Sequence, residues 1–217
     1  MAKIPDGPFF GMSGSVGGWT FAPQPDGAPT TVKGKNKKST KPRTAPQVAQ
    51  SNKIALASDF MKPFTEFVRT GYKLRGKILK LSPYNAMKRQ VLKEAIEGTQ
   101  PDQKVNMAKL LITRGSLPSA AETSATITEH GLAFNWSTEL ISGLSHHSDQ
   151  VMMLAVFRGM SFPVARYVVA GAQRFAGTDV LLLDGIKRGN TADVYISFIA
   201  NDHTAIANST YLGSFNW

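Results

Sequence analysis

The residues with the clearest chemistry in this sequence are cations in one short segment. Between Lys33 and Arg43 the stretch "KGKNKKSTKPR" carries six positive charges and no acid. Lysine and arginine clustered in this way attract phosphates, and the attraction weakens as salt is added. The segment therefore predicts contact with an acidic partner. Its six cations are Lys33, Lys35, Lys37, Lys38, Lys41 and Arg43.

The positive charge extends beyond this segment into the next part of the chain. Residues 27–93 hold sixteen Lys and Arg against two acids, whereas the whole chain has a formal net charge of +10. Lys73, Arg75 and Lys77 are the added cations that we expect to contact the same partner. No aromatic residue lies between residues 32 and 59, so no platform for stacking bases is present there. Nucleic acid would be bound through its phosphates, independently of sequence, and an acidic protein surface is the alternative partner.

Groups for enzymatic chemistry are few. The chain has no cysteine, and its acidic residues are scattered singly. His146 and His147 precede Asp149 in a polar stretch, but adjacent side chains of an extended segment point to opposite faces, which is poor geometry for chelation. "GMSGSVGG" at 11–18 lacks the patterns of a nucleophile elbow and of a phosphate-binding loop. We predict a non-enzymatic protein with no catalytic residue, cofactor or metal site.

The first 31 residues combine many glycines with large apolar side chains. Such glycine content makes a helix improbable, and we expect residues 1–43 to form an extended arm, first glycine-rich and then basic. A solvated spacer has no need of aromatic residues, so the arm is predicted to dock them on another surface. Packing on the chain's own body is the alternative. The predicted docking side chains are Phe9, Phe10, Met12, Trp19 and Phe21.

Apolar residues at spacings of three and four predict an amphipathic helix from about residue 45 to 70. Thr44 resembles the first residue of a capping box, and Gly71 would end the helix. The periodic residues are Leu56, Phe60, Phe64 and Phe67.

Two further elements complete a predicted helical module over residues 44–98. Residues 72–81 alternate apolar with basic side chains, which favours a short strand or an extended link. Ser82 and Pro83 are typical of a helix start, and this second helix would run to about residue 97.

From residue 104 the apolar period changes to two, which predicts an antiparallel β-sandwich over 104–217 and an α+β fold overall. Trp136, in an early strand, and Tyr195, in a late strand, resemble the immunoglobulin and fibronectin type III pattern. That resemblance implies that Trp136 lies in the core and that the Tyr195 hydroxyl holds the adjoining loop. The predicted strands are 105–112, 123–128, 131–137, 150–158, 164–171, 178–184, 192–200 and 205–215.

Four blocks carry a resemblance that extends over the whole chain. They are "GMSGSVGG" at 11–18, "KPRTAPQVAQSNK" at 41–53, "TRGSLP" at 113–118 and "NSTYLG" at 208–213. With them the chain resembles an uncharacterised family of Bacteroidetes proteins that share a glycine-rich start, a basic Pro-x-Thr-x-x-Gln-x-x-Gln segment and a β-rich C-terminal half. The resemblance implies a bacterial or phage origin and supports the architecture above, but it implies no reaction.

The function predicted first is a structural subunit of a filament, tube or virion, in which the N-terminal arm docks on neighbouring copies of a homo-oligomer. The alternative is a sequence-independent nucleic-acid-binding protein that uses its cationic residues 33–93. A carbohydrate- or surface-binding module rests on fold analogy alone. No apolar run of about 20 residues is present to span a membrane, and no secretory signal peptide is expected. A virion, an extracellular assembly exported by another route and the cytoplasm all remain open.

Overall fold

The computed structural model describes residues 2–24, 27–34, 41–99, 101–158 and 163–217. Its chain divides into two compact units, the first ending at Thr44 and the second running from Ala45 to Trp217. Among the described residues, no helix is both long and apolar enough to cross a membrane.

The first unit is a small antiparallel sheet. Its strands are β1 (Ala2–Ile4), β2 (Gly14–Val16), β3 (Trp19–Ala22) and β4 (Thr30–Gly34), in the spatial order β1-β4-β3-β2. Gly17, whose φ is 57°, supplies the left-handed backbone of the two-residue turn between β2 and β3. The prediction of an extended arm over 1–43 is corrected for its glycine-rich part, because these strands satisfy one another's backbone hydrogen bonds, whereas most of the basic part falls outside the described residues.

The second unit begins with a helical layer. It contains α1 (Ala45–Met61), a 3-10 turn (Lys62–Phe64), α2 (Thr65–Gly71), α3 (Lys73–Leu79), α4 (Pro83–Gln90) and a π turn (Val91–Ala95). The first predicted helix is thus present as α1 and α2, separated at Pro63, whose nitrogen has no hydrogen to donate. Ser82 caps α4 as expected, since its Oγ accepts a hydrogen bond from the Asn85 amide at 3.2 Å.

The prediction of a strand or an extended link over 72–81 is wrong, because these residues form α3. Tyr72 and Leu79 are seven residues apart, so a helix places both on one face, whereas a strand would place them on opposite faces. Both side chains belong to the hydrophobic core or pack against it. The second predicted helix is also shorter than expected: residues after the π turn form β5 (Ile96–Glu97), which pairs with β6 (Lys104–Val105).

The rest of the chain forms two antiparallel sheets. One has the order β10-β9-β12-β13 and the other β11-β8-β7. The predicted strand at 105–112 is wrong, since only its first residue lies in β6 and Met107–Lys109 form a 3-10 turn that the Asn106 side chain caps. The strands are β7 (Ser124–Ile127), β8 (Gly131–Asn135), β9 (Gln150–Arg158), β10 (Val164–Val168), β11 (Thr178–Leu182), β12 (Thr191–Ile199) and β13 (Thr210–Asn216).

Strands β9 and β12 are buried on both faces, which creates two hydrophobic cores. On one face Leu154 and Tyr195 join the core that α2 and α4 also form. On the other face Val194 and Phe198 pack with residues of β8 and β11. The helical residues 44–98 and the β-rich residues 104–217, predicted as separate domains, therefore share one core. Trp136 is buried in the second core, where its ring meets Phe198 edge to face at 5.6 Å.

An irregular segment, residues 106–119, is held by hydrogen bonds from both the helical layer and the four-stranded sheet. The Tyr72 hydroxyl donates to the Leu111 carbonyl at 2.8 Å, and the Tyr195 hydroxyl donates to the Met107 carbonyl at 2.9 Å. Tyr195 therefore does hold a loop, but one 88 residues earlier in the chain rather than the adjoining one. We call residues 106–119 the clamped segment.

Replacing Tyr195 with phenylalanine tests this clamp. Tyr195→Phe removes one of the two donors to the buried Met107 carbonyl, which keeps only the Leu110 amide, so the free energy of unfolding should fall by about 0.5–1.5 kcal/mol. Urea unfolding followed by circular dichroism measures the change. The matched control is Tyr84→Phe, because the Tyr84 hydroxyl makes no hydrogen bond within the described part of the chain. It should alter stability by no more than about 0.5 kcal/mol. Equal losses in the two variants would contradict the clamp.

Candidate functional site

The strand pairing of the first unit sorts its side chains onto two faces. Val16 pairs with Trp19, and Phe21 pairs with Val32. Directly paired residues point to the same side of a sheet, as do alternate residues of one strand. One side, which we call the apolar face, therefore carries Ile4, Val16, Trp19, Phe21 and Val32.

The opposite side of this sheet is polar. It carries Lys3, Ser15, Thr20, Thr31 and Lys33, of which Thr31 is buried, and the hydroxyls of Ser15 and Thr20 lie 2.9 Å apart. Alternation of this kind is typical of a sheet with one face in water and the other covered.

The connection between β1 and β2 covers part of the apolar face. The Phe9 ring stacks on the Phe21 ring with centroids 6.1 Å apart, and the Gly11 amide donates to Thr30 Oγ1 at 2.7 Å. Met12 and Phe21 are half-buried. Large apolar side chains nevertheless stay open to solvent: Phe9 is 51% exposed, Phe10 42%, Val16 60% and Trp19 57%.

An apolar groove of about 310 Å³ lies in the second unit, beside α1 and the end of β9. Its lining includes Leu56, Phe60, Val105 and Phe157. Asp59, Lys104 and Arg158 provide charges among the lining residues. The sequence analysis did not single out this groove, because its walls come from three distant parts of the chain.

The predicted cations lie in different places. Lys33 is exposed in β4, and Lys41 and Arg43 are exposed before α1. Lys73 and Lys77 are exposed on α3, whereas Arg75 lines a pocket. Lys35, Lys37 and Lys38 fall outside the described residues.

The pocket that Arg75 lines has a volume of about 160 Å³, and we call it the cationic pocket. Three more cations line it, Arg89 and Lys93 from the α4 region and Arg114 from the clamped segment. One acid, Glu94, lies 3.7 Å from Arg114. Sequence reasoning predicted only Arg75 as a site residue. The spacing of Arg89 and Lys93 could have indicated this pocket. Like charges four residues apart on a helix destabilise it unless an opposite charge lies nearby.

The absence of a side chain at Gly71 allows Arg114 to reach this pocket. A Cβ at that position would lie 2.6 Å from Thr113 Cγ2, so only glycine permits the clamped segment to approach the end of α2. The Arg114 amide donates to the Gly71 carbonyl at 3.2 Å.

The pocket's electrostatics follow from burial and from these charges. Burial has the largest effect and raises the pKa of the Tyr72 hydroxyl well above its ordinary value. The charges of Arg114 and Arg75 lower this pKa, and the charge of Glu94 raises it. The hydroxyl therefore stays protonated at neutral pH, where it donates to the Leu111 carbonyl.

A polar cleft of about 580 Å³ lies between the β8–β9 and β12–β13 connections. His146 and Asp202 line it, as does the buried Asp149, which pairs with Arg174 at 3.3 Å between Oδ2 and Nε. The adjacent histidines lie in a polar turn between strands, and their ring centroids are 4.3 Å apart. In the described ranges, no three histidine or acidic side chains are placed to hold a metal.

The Asp149–Arg174 pair gives a stability prediction for this cleft. Burial lowers the pKa of Arg174 and the Asp149 charge raises it, so the guanidinium depends on this partner. Asp149→Asn should lower the free energy of unfolding by about 3–5 kcal/mol, because a buried charge loses its counter-charge. Glu66→Gln, which breaks the exposed pair with Arg69, is the control and should cost about 0–1 kcal/mol. Urea unfolding of both variants makes the comparison, and a loss at Asp149 no larger than at Glu66 would refute the assignment.

The comparisons with known proteins give one match. A family model described as "Family of unknown function (DUF6266)" covers residues 26–213. No curated protein and no solved structure matches the chain. Three of the four resemblance blocks lie inside the matched residues, and "GMSGSVGG" precedes them. The chain therefore belongs to this family of unknown function, DUF6266.

Proposed function

We propose that the protein is a non-enzymatic assembly subunit whose N-terminal sheet docks on another copy of the same chain. One observation carries the proposal: a separate compact unit presents an apolar face with Val16 and Trp19 exposed by more than half. Monomeric proteins rarely leave contiguous apolar surface in water, and such patches mark interaction sites. Trp19 belongs to a residue type enriched among interface hot spots.

The apolar groove of the second unit supports a second copy as the partner. Each chain presents both an apolar face with aromatic side chains and an apolar groove of about 310 Å³. Docking the face of one copy into the groove of the next is a heterologous contact, which repeats into a ring or a filament. The polar side of the sheet, with Lys3 and Lys33, would then face solvent. This arrangement fits a filament, tube or virion, and the Bacteroidetes resemblance favours a bacterial or phage assembly.

The strand order supports a fibronectin type III-like sandwich as the body of the subunit. Lettering β7 to β13 as A, B, C, C′, E, F and G gives the sheets E-B-A and C′-C-F-G. In immunoglobulin-like folds strands A, B and E share one sheet, and C, F and G share the other. A body of this kind suits a repeated building block, because its loops lie at the two ends and its two sheets pack on a shared core.

Nucleic-acid binding is the second candidate function. Arg75, Arg89 and Lys93 make no ion pair within the described part of the chain, so their charges are available to phosphates. The assembly proposal ranks higher because, in the described ranges, no exposed aromatic residue lines the pocket with these cations to stack bases.

The assembly test replaces the exposed apolar residues of the face in the full-length chain. Wild-type protein should sediment as species larger than a monomer, with size rising with concentration. Val16→Ser/Trp19→Ser should weaken this association at least about tenfold, since it removes the most exposed apolar contacts of the face. The control Ser15→Ala/Thr20→Ala alters the same hairpin on its polar side and should leave sedimentation unchanged. A wild-type protein that stays monomeric at high concentration would reject the proposal.

Trp19 also reports directly on its own environment. Trp136 and Trp217 are buried, so quenching of fluorescence by acrylamide should arise mainly from Trp19. Quenching should be strong in dilute monomer and weaken as the protein assembles, because the neighbour covers the ring. A Trp19 ring that is already protected in the monomer would mean that the chain's own body covers the apolar face, and the proposal would fail.

A further inference from the structure

The cationic pocket concentrates positive charge that its own residues do not neutralise. Arg75, Arg89, Lys93 and Arg114 line a space of about 160 Å³ with a single acid, Glu94. Glu94 lies 3.7 Å from Arg114, beyond hydrogen-bond distance, and the other three cations make no ion pair among the described residues. Like charges held this close repel each other, so a bound anion would stabilise the arrangement.

The helical backbone that carries Arg89 and Lys93 is irregular. Arg89 and Lys93 are four residues apart, a spacing at which like charges destabilise a helix. The chain passes from α4 into a π turn, Val91–Ala95, directly between them. Such turns are energetically poor, and they recur at functional sites.

A second observation points to a ligand. Gln90 lines the pocket and is 4% exposed, and its Nε2 donates to Glu94 Oε2 at 3.4 Å and to the Lys109 carbonyl at 3.3 Å. Its Oε1 is buried without a hydrogen-bond partner among the residues that the structure describes. A buried acceptor left unpaired is costly, and a ligand with a hydroxyl would satisfy it.

We propose that the cationic pocket binds inorganic phosphate as its monohydrogen dianion, which keeps one hydroxyl at neutral pH. Arginine forks match phosphate oxygens with paired hydrogen bonds, and Lys93 adds a further charge. The phosphorus hydroxyl donates to Gln90 Oε1, which neither a phosphodiester of nucleic acid nor a monoester dianion can do. The volume admits one phosphate ion, since pockets for whole drug-sized ligands begin at about 300 Å³. This site is independent of the proposed assembly.

Titration of the wild-type chain locates the site. Inorganic phosphate, methyl phosphate and sulfate, all dianions at pH 8, are titrated separately while backbone amide resonances are recorded by NMR. Phosphate should shift the amides of residues 89–94 and Arg114, and methyl phosphate, whose dianion has no hydroxyl, should bind more weakly. Sulfate has the same shape but no hydroxyl at neutral pH, so it should bind more weakly. Shifts confined to other regions, or equal binding of sulfate and phosphate, would overturn the proposal.

Charge-matched variants separate the pocket from the general surface charge. Arg89→Gln/Lys93→Gln should weaken phosphate binding at least about tenfold, because it removes two charge-assisted contacts. Lys73→Gln/Lys77→Gln removes the same charge from exposed positions of α3 and should change binding no more than about twofold. Equal weakening in both would show nonspecific attraction and reject the site.

Nucleic acid provides the remaining comparison. A single-stranded oligonucleotide, which offers phosphodiesters, should not displace inorganic phosphate from the pocket at moderate salt. Displacement together with shifts at residues 89–94 would overturn the assignment to inorganic phosphate and support nucleic-acid binding at this site. Circular dichroism of every variant confirms folding, and the wild-type titration decides the question if a variant fails to fold.

Discussion

The second unit depends on satisfying the backbone of the clamped segment where it runs between the helical layer and the four-stranded sheet. A segment with little regular structure leaves carbonyls short of backbone donors, and buried carbonyls without donors are costly. Two buried tyrosines supply donors from different elements: Tyr72 at the end of α2 and Tyr195 in β12. The Tyr72 hydroxyl reaches the Leu111 carbonyl, and the Tyr195 hydroxyl joins the Leu110 amide at the Met107 carbonyl. The helical layer and the sheet are therefore joined through the same short stretch.

The same constraint explains the sequence blocks that carry the family resemblance. Thr113 donates through Oγ1 to the Ala207 carbonyl at 2.9 Å, and the Gly115 amide donates to Asn208 Oδ1 at 3.1 Å. Ser209 Oγ accepts from the Ile112 amide at 2.9 Å. "TRGSLP" and "NSTYLG", about a hundred residues apart in the chain, are therefore in contact. The side chains of these blocks hold a buried segment in place through hydrogen bonds. Arg114, which belongs to this segment, therefore lies at the cationic pocket.

The two units present different chemistry to a partner. The first offers an apolar face that strand register creates, with Trp19 and Val16 open to water. The second offers a pocket of four cations with one acid, too small for a whole nucleotide but suited to one phosphate group. The proposed assembly contact and the proposed phosphate site use separate surfaces, and each acts through binding alone.

The sequence by itself determined the features that depend on local spacing. The strand predicted at 150–158 is β9, Ser82 caps α4, and Trp136 lies in the core. Hydrophobic period and capping chemistry are encoded within a few residues, so they can be identified without knowledge of the fold. The asymmetry of charge was likewise visible in composition alone.

Only the tertiary structure decided the features that depend on distant partners. Residues 72–81 became a helix because Tyr72 and Leu79 face one core, and residues 2–34 became a sheet because strands far apart in the chain paired. The cationic pocket needs Arg75, Arg89 and Arg114 from three separate segments, and no local pattern records that they meet. Pairing, burial and cavities are set by the free energy of the whole packed chain, which a window of a few residues does not contain.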